Sequence, residues 1–165
     1  MIHMMIGIQG AGKSTFANEY AKEINAEIIS TDGVRIANPG ISEDLVWPYV
    51  YKKVAECVTN NIEVIFDATS ITPKVRKRFI DNVELHGVKC VIGAYFFDVD
   101  KNVCAARVEK RNNENTQINI PIEAFSTILP LLNDLLPIKR EHINPKDINK
   151  KNNPVPLVIP NCSLP

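Results

Sequence analysis

The fold is decided by the stretch Gly7-Ile8-Gln9-Gly10-Ala11-Gly12-Lys13-Ser14, which fits the pattern Gly-x4-Gly-Lys-Ser in full. An apolar run at 2–8 overlaps its start, as is typical of a buried parallel strand, and a helical pattern follows at 12–24. Glycines in such a turn let backbone amides face phosphate oxygens, and the helix N-terminus adds partial positive charge. The sequence therefore predicts a phosphate-binding loop between the first strand and the first helix.

Two side chains of this loop are expected to act directly on a bound nucleotide. Lys13 would reach the outer phosphates, and the Ser14 hydroxyl would ligate Mg²⁺. The whole predicted nucleotide-binding segment consists of Gly10, Ala11, Gly12, Lys13, Ser14 and Thr15.

Strand and helix patterns alternate along the chain. Strands are predicted at 2–8, 26–30, 62–66 and 88–97, helices at 12–24, 43–60, 73–85, 101–111 and 121–136, and mostly loop at 31–42. The alternation predicts an α/β protein with a parallel sheet between two layers of helices, and with the phosphate loop this resembles the three-layer P-loop NTPase fold of the adenylate-kinase-like type. Such a fold has a parallel sheet, helices on both faces and, here, a short helical lid. Ligands of these sheets bind at the C-terminal ends of the strands.

A change in composition divides the chain near Pro137. Residues 1–137 are predicted to form one P-loop kinase domain with a lid around 107–119. From Pro137 onward the sequence contains six prolines, five asparagines and no glycine. Residues 138–165 are therefore predicted to be an extended or loosely packed tail, laid over the sheet edge.

The overall composition argues against several classes of protein. The net charge is zero, from 19 basic and 19 acidic residues, which argues against a long nucleic-acid footprint. No apolar run is long enough to cross a bilayer, and the first residues lack the basic flank of a signal peptide. The cysteines form no Cys-x-x-Cys pair, which favours reduced thiols and a cytoplasmic setting. They are Cys57, Cys90, Cys104 and Cys162. The oligomeric state is left open.

Two other kinds of nucleotide-binding protein lack their sequence marks here. GTPases identify guanine with Asn-Lys-x-Asp, whereas the one Asn-Lys of this chain lies in Asn149-Lys150-Lys151-Asn152. ATPases that activate water carry an acidic residue just after the strand-end aspartate, whereas that position here reads Asp67-Ala68-Thr69. Phosphoryl transfer to an acceptor hydroxyl is the reaction that remains.

The segment Ser30-Thr31-Asp32-Gly33-Val34-Arg35 follows the second strand and offers a candidate base. An aspartate at a strand end facing the phosphate loop can accept the proton of an attacking hydroxyl. Arg35 would share a face with Asp32 if the segment turns helically, and would hold an anionic acceptor or orient the carboxylate. The alternative is that Asp32 caps a turn beside Gly33.

Two arginines mark a candidate lid. Arg107 and Arg111 lie four residues apart and hence on one helix face. They would close over the nucleotide and neutralise charge that develops on the transferred phosphoryl group. The alternative is a solvated basic face.

In combination, these motifs resemble those of the polynucleotide 5′-hydroxyl kinase-like family of P-loop kinases. The resemblance covers about residues 1–137 and rests on Gly-x4-Gly-Lys-Ser-Thr, Ser-Thr-Asp-x-x-Arg, Phe66-Asp67-Ala68-Thr69 and Cys104-x-x-Arg107-x-x-x-Arg111. It implies ATP as phosphate donor, bound by the first motif, with Asp32 as general base and Arg35 as acceptor contact. It also implies that Arg107 and Arg111 clamp the donor phosphates, and that Asp67 and Thr69, which match a family motif Asp-x-Thr, belong to the substrate-binding residues.

The sequence is compatible with more than one kind of acceptor. The resemblance implies the 5′-hydroxyl of a polynucleotide or nucleotide. The basic segment Lys74-Val75-Arg76-Lys77-Arg78 would then bind the nucleic-acid backbone, with Arg76 as the predicted substrate contact, or else form a solvated face. A kinase for a nucleoside, sugar or antibiotic is the alternative, and a non-catalytic ATP-binding regulatory module is a third. No membrane partner is expected.

Overall fold

The computed structural model describes residues 1–114 and the strand Val155–Val158. The strands are β1 Ile2–Ile6, β2 Glu27–Ile29, β3 Val64–Phe66, β4 Ile92–Phe96 and β5 Val155–Val158. The helices of these parts of the chain are α1 Lys13–Ile24, α2 Thr31–Ala37, α3 Glu43–Thr59, α4 Pro73–Glu84 and α5 Lys101–Asn113.

The sheet has the strand order β2-β3-β1-β4-β5. The first four strands run parallel, and β5 is antiparallel to β4. Right-handed crossovers between parallel strands place α1 on one face and α3 and α4 on the other. The predicted α/β fold with a parallel sheet and flanking helices is therefore confirmed. Its four parallel strands end at one common edge, where the candidate site residues follow.

Each face of the sheet is covered by its own group of aromatic side chains, because successive residues of a strand point to opposite faces. On the α1 face, Phe16 and Tyr20 stack with ring centroids 5.2 Å apart, and both contact Tyr95 of β4. On the opposite face, Phe66 of β3 stacks on Phe79 of α4 at 4.0 Å. These two layers anchor the sheet whose edge carries the site.

The structure corrects the prediction that 31–42 is mostly loop, because α2 occupies Thr31–Ala37. The Ser30 hydroxyl accepts a hydrogen bond from the Gly33 amide at 2.9 Å and so caps the helix. This cap outweighs the helix-weakening effect of Gly33 inside the first turn.

Several element boundaries differ from the sequence prediction by a few residues; β1, for example, ends at Ile6 rather than at residue 8. The fourth strand is confined to Ile92–Phe96, since upstream of it the Cys90 amide donates to the Glu84 carboxylate instead of a neighbouring strand. Helix α5 continues to Asn113, past the predicted end at 111. The part of the predicted lid beyond residue 114, the predicted helix at 121–136 and most of the tail 138–165 lie outside the described residues.

Candidate active site

The phosphate loop connects β1 to α1 and is held from both sides. The Gly7 amide donates to the Thr69 carbonyl oxygen at 3.2 Å, and the Phe97 amide donates to the Ile6 carbonyl oxygen at 2.9 Å. The loop turns through left-handed backbone at Gly10 and Gly12, with φ of 78° and 93°. L side chains rarely adopt these angles, so glycine is required for this shape.

Gly10 is fixed by packing as well as by backbone angle. A Cβ atom at this position would lie 2.4 Å from the carbonyl oxygen of Cys104 in α5. The Arg107 guanidinium, one turn further along α5, donates to the Gly10 carbonyl oxygen at 3.2 Å. The predicted lid helix is therefore in direct contact with the phosphate loop.

Lys13 is buried at the start of α1, with 8% of its surface exposed. Its ammonium group donates to the Ile8 carbonyl oxygen at 2.9 Å and so lies across the loop. Burial lowers the pKa of Lys13, while the nearby carboxylates of Asp67 and Asp32 act in the opposite direction. Two further N–H bonds of the ammonium remain for other acceptors.

Asp67 and Thr69 follow β3, the strand next to β1. The Asp67 amide continues the sheet by donating to the Ile29 carbonyl oxygen at 3.0 Å. The next residues turn sharply, because Ser70 is buried with a φ of 43°. Both residues thus border the phosphate loop. The charge of the Asp67 carboxylate acts on Lys13. The Thr69 carbonyl oxygen accepts the hydrogen bond of the Gly7 amide.

The side chain of Arg76 in α4 reaches back to this turn and hydrogen-bonds its backbone. Its Nη1 atom donates to the carbonyl oxygens of Ser70 and Ile71, at 2.9 and 2.6 Å. Charge-assisted bonds of this kind stabilise the unusual backbone at Ser70. The structure gives Arg76 this local role, and its part in acceptor binding stays a prediction.

Asp32 and Arg35 lie on one face of α2, as expected if this segment is helical. Arg35 Nη1 donates to Asp32 Oδ1 at 3.0 Å. Arg35 also makes a bidentate pair with Glu43, the first residue of α3, in which both distances are 2.8 Å. Asp32 does not cap α2, since Ser30 does. Its side chain is 57% exposed and open to a ligand.

Helix α5 carries the two predicted lid arginines. It begins after Asp100, whose carboxylate caps the amides of Asn102 and Val103. Arg111 is half-buried, with its Nε and Nη2 atoms shielded from solvent, and its charge is close enough to lower the pKa of Lys13. The charges of Asp67, Arg111 and Asp32 thus all act on Lys13, whereas Arg107 contacts the loop backbone at Gly10.

Comparison with known proteins identifies the family. The sequence profile of the AAA domain matches residues 2–133 of this chain. The chain belongs to the AAA domain family. No curated protein matches the sequence significantly.

Solved structures share the fold of this AAA domain at low sequence identity. A chain of the Pnkp1/Rnl/Hen1 RNA repair complex aligns with a TM-score of 0.69 and 22% identity over 99% of this chain. A putative kinase from Chloroflexus aurantiacus j-10-fl aligns with a TM-score of 0.62 and 12% identity, covering 75% of this chain and 73% of its own. A gluconokinase from Sinorhizobium meliloti 1021 aligns with a TM-score of 0.52 and 18% identity, covering 84% and 78%.

The resemblance to P-loop kinases is thereby confirmed at the level of fold. This chain covers 50% of the length of the RNA repair chain that it matches.

Within the described residues, no helix is long and apolar enough to cross a membrane.

The site of this AAA domain fits a magnesium nucleotide. The described part of the chain has no group of three or more His, Cys, Asp or Glu residues that could hold a metal ion. Mg²⁺ does not require such a group, because it binds through one or two protein oxygens together with substrate phosphates and water. The Ser14 hydroxyl, exposed in the first turn of α1 beside Thr15, would be such an oxygen. The loop that turns at Gly10 and Gly12 would hold the adjoining phosphates.

Two residues of the site were missed by the sequence analysis. Glu43 pairs with Arg35 across eight residues and a turn, and one exposed glutamate among many gives no signal of its own. Ser70 carries the strained turn after Asp67, although serine has no special tendency toward positive φ. The Glu43 pair is seen only in the folded α2–α3 segment, and the Ser70 turn only in the folded β3–α4 connection.

Proposed function

We propose that this AAA domain is an ATP-dependent kinase that transfers the γ-phosphoryl group to an acceptor hydroxyl. The proposal rests on one observation above the others. Lys13 is buried in the predicted phosphate loop at the C-terminal edge of the parallel sheet, and the charges of Asp67, Arg111 and Asp32 all act on it. This set combines donor binding, a proton acceptor and compensating positive charge in one place.

In the proposed reaction the acceptor oxygen forms a bond to the γ-phosphorus as the bond to the bridging oxygen of ATP breaks. The proton of the hydroxyl passes to the exposed Asp32 carboxylate, and ADP leaves. Lys13 and the loop amides orient the phosphates, and Arg111 stabilises the charge that spreads over the transferred group. Mg²⁺, held by Ser14 and the phosphates, would supply further charge neutralisation.

For the acceptor, we propose the 5′-hydroxyl of a polynucleotide or nucleotide. The Asp-x-x-Arg motif of α2 supports it, because Arg35 is 38% exposed, lies beside the proposed base Asp32 and would contact an acceptor phosphate. The likeness in fold to a chain of an RNA repair complex points in the same direction.

A sugar or other small-molecule hydroxyl is the second candidate. One observation favours it, namely that Asp32 and Glu43 outnumber Arg35 at the proposed acceptor site. A local excess of negative charge suits an uncharged acceptor better than a polyanion. The gluconokinase among the structural neighbours shows that the same fold occurs in kinases of small molecules.

The two candidates are separated by a transfer screen with γ-labelled ATP. The full chain is offered 5′-hydroxyl DNA, 5′-hydroxyl RNA, nucleosides and sugars in parallel, with the Asp32→Asn variant as control. Label on the nucleic acids, dependent on Asp32, is the expected result. Label on sugars alone selects the second candidate. Transfer to no acceptor, with ATP binding intact, refutes the kinase proposal.

A further inference from the structure

Arg35 presents two separate hydrogen-bonding edges, and each has its own carboxylate. Nη1 donates to Asp32 at 3.0 Å. Nε and Nη2 form the planar fork of the guanidinium, and this fork is filled by the two oxygens of Glu43. The contact to the proposed base and the contact to Glu43 therefore use different nitrogens, and one can be exchanged without the other.

The Nε/Nη2 edge is also the edge that recognises phosphate. A phosphate group accepts two parallel N–H bonds from it in the same geometry as a carboxylate. Glu43 therefore lies where an anionic group of an acceptor would bind if it used Arg35.

The Glu43 side chain is held loosely enough to be displaced. It is 73% exposed, and the Arg35 side chain is 38% exposed. Ion pairs at such exposure are weak, since water competes for both partners. Glu43 also lies in the first turn of α3, where the helix favours a negative charge with or without Arg35.

We propose that Glu43 determines acceptor specificity by occupying the phosphate-binding edge of Arg35. An acceptor that carries a phosphate binds by displacing Glu43, while the Nη1 contact keeps Arg35 against Asp32. Two carboxylates facing one guanidinium give the cluster a formal charge of −1. Anionic acceptors must overcome this charge, whereas uncharged hydroxyl acceptors need not. The inference rests on the proposed function, in which Arg35 contacts the acceptor.

The test compares direct binding of two probes to the full chain. A nucleoside 3′-phosphate combines a free 5′-hydroxyl with one phosphate, and the matching nucleoside lacks only the phosphate. Calorimetry with the parent and with Glu43→Gln should show the nucleoside phosphate binding about two- to fivefold tighter to the variant, the range expected for one exposed ion pair. Binding of the uncharged nucleoside should not change. The gain should shrink in high salt, because the charges are exposed.

The matched control is Asp44→Asn, which removes a neighbouring charge from the same helix turn. Asp44 accepts a hydrogen bond from Ser42, whereas the carboxylates bonded to Arg35 are those of Asp32 and Glu43, so a general change of charge would affect both variants alike. In an Arg35→Ala background, Glu43→Gln should bring no gain in affinity for the nucleoside phosphate.

The outcomes separate this inference from the proposed kinase activity, because binding is measured without turnover. Tighter phosphate binding in Glu43→Gln alone supports the inference, even if no acceptor is phosphorylated. Equal affinities in parent and variant, weaker binding in the variant, or no binding to either protein would overturn it. An equal gain in Asp44→Asn would also overturn it, since charge alone would then explain the effect.

Discussion

Arg107 donates a hydrogen bond to the carbonyl oxygen of Gly10 at 3.2 Å, so the helix that carries the proposed lid arginines is joined to the phosphate loop. The same glycine packs against the backbone of Cys104 one turn earlier in α5. A shift of α5 must therefore alter the loop or break these contacts. The position of α5 and the shape of the phosphate site are coupled through this one glycine.

Replacing Gly10 by alanine should destabilise the protein more than its backbone angle alone explains. A left-handed residue other than glycine costs about 1–2 kcal/mol. At Gly10 the added Cβ would also lie 2.4 Å from the Cys104 carbonyl oxygen. The variant should therefore lose more than this amount in denaturant unfolding and should bind ATP poorly.

The matched control is Gly40→Ala. Gly40 has a similar φ of 87°, yet a Cβ there would meet nothing within 4 Å. The Gly40→Ala variant should lose only the stability that the left-handed backbone angle costs, and it should still bind ATP. Equal destabilisation by the two substitutions would mean that the α5 contact can relax freely.

Lys13→Met should remove ATP binding without unfolding the protein. The methionine keeps the apolar stem of the side chain, and burial already disfavours the charged ammonium, as the lowered pKa of Lys13 shows. ATP at 100 times its Kd stabilises a protein by about 2.7 kcal/mol, so the parent should show a clear rise in Tm. That rise should vanish in Lys13→Met and persist in Lys22→Met, an exposed lysine of the same helix. A full ATP shift in Lys13→Met would contradict the loop assignment.

Arg111→Ala should lower kcat more than it weakens ATP binding. The proposed role of Arg111 is to stabilise charge that grows only in the transition state, and losing such an interaction lowers kcat and kcat/KM together. Steady-state kinetics and an ATP titration of the same variant measure the two effects. Lys110→Ala, an exposed neighbour, is the control. A loss confined to ATP affinity would assign Arg111 to donor binding alone.

His3 predicts a pH dependence of stability. It is buried in β1, with Nδ1 3.0 Å from the Tyr95 hydroxyl and Nε2 3.0 Å from Glu63. Burial lowers the pKa of His3 below its usual 6.5, although Glu63 opposes this shift. The unfolded chain therefore takes up a proton first as the pH falls. The stabilising effect of neutral His3 is complete above about pH 6.5 and is lost as the pH falls through the lower folded pKa.

Urea unfolding at pH 7.5 and 5.5 tests this sign. The parent should lose more stability between the two values than His3→Gln, which cannot take up a proton. His86→Gln removes an exposed histidine and should behave like the parent. Parallel losses in the parent and His3→Gln would show that other groups cause the acid sensitivity.

Much of the fold could be predicted because local patterns agree with the packing. The apolar runs at β1, β3 and β4 and the Gly-x4-Gly-Lys-Ser turn each specify their own structure. Helix α2 could not be predicted in this way, since Gly33 argues against a helix and the cap that compensates for it depends on the orientation of Ser30. Helix propensities added over the residues of this segment take no account of such a contact.

The sequence likewise predicts some features of the candidate site and not others. Lys13, Asp32 and Asp67 follow strand ends, so a parallel sheet brings them to one edge from sequence order alone. The partners of the charged groups are different, because long side chains choose among several neighbours within reach. Arg35 pairs with Glu43, and Arg76 turns back to the Ser70 carbonyl, as only the folded chain shows.

The chemistry itself is tested by Asp32→Asn. The amide has nearly the shape of the carboxylate and can still accept a hydrogen bond from Arg35, so α2 should keep its structure. Asp32 is 57% exposed, and its side chain pairs with Arg35, which is itself 38% exposed. The amide cannot take up the proton of an acceptor hydroxyl at neutral pH, and a positioned base contributes about 10²–10⁴-fold to the rate. Turnover should therefore fall at least about 10²-fold, while the Tm and the ATP-induced shift stay near those of the parent.

The control is Asp44→Asn, which changes an exposed aspartate of the next helix and should leave turnover unchanged. Retention of most activity in Asp32→Asn, on every acceptor that the parent phosphorylates, would remove Asp32 from the reaction. The base would then have to be sought at Asp67, the other carboxylate that acts on Lys13.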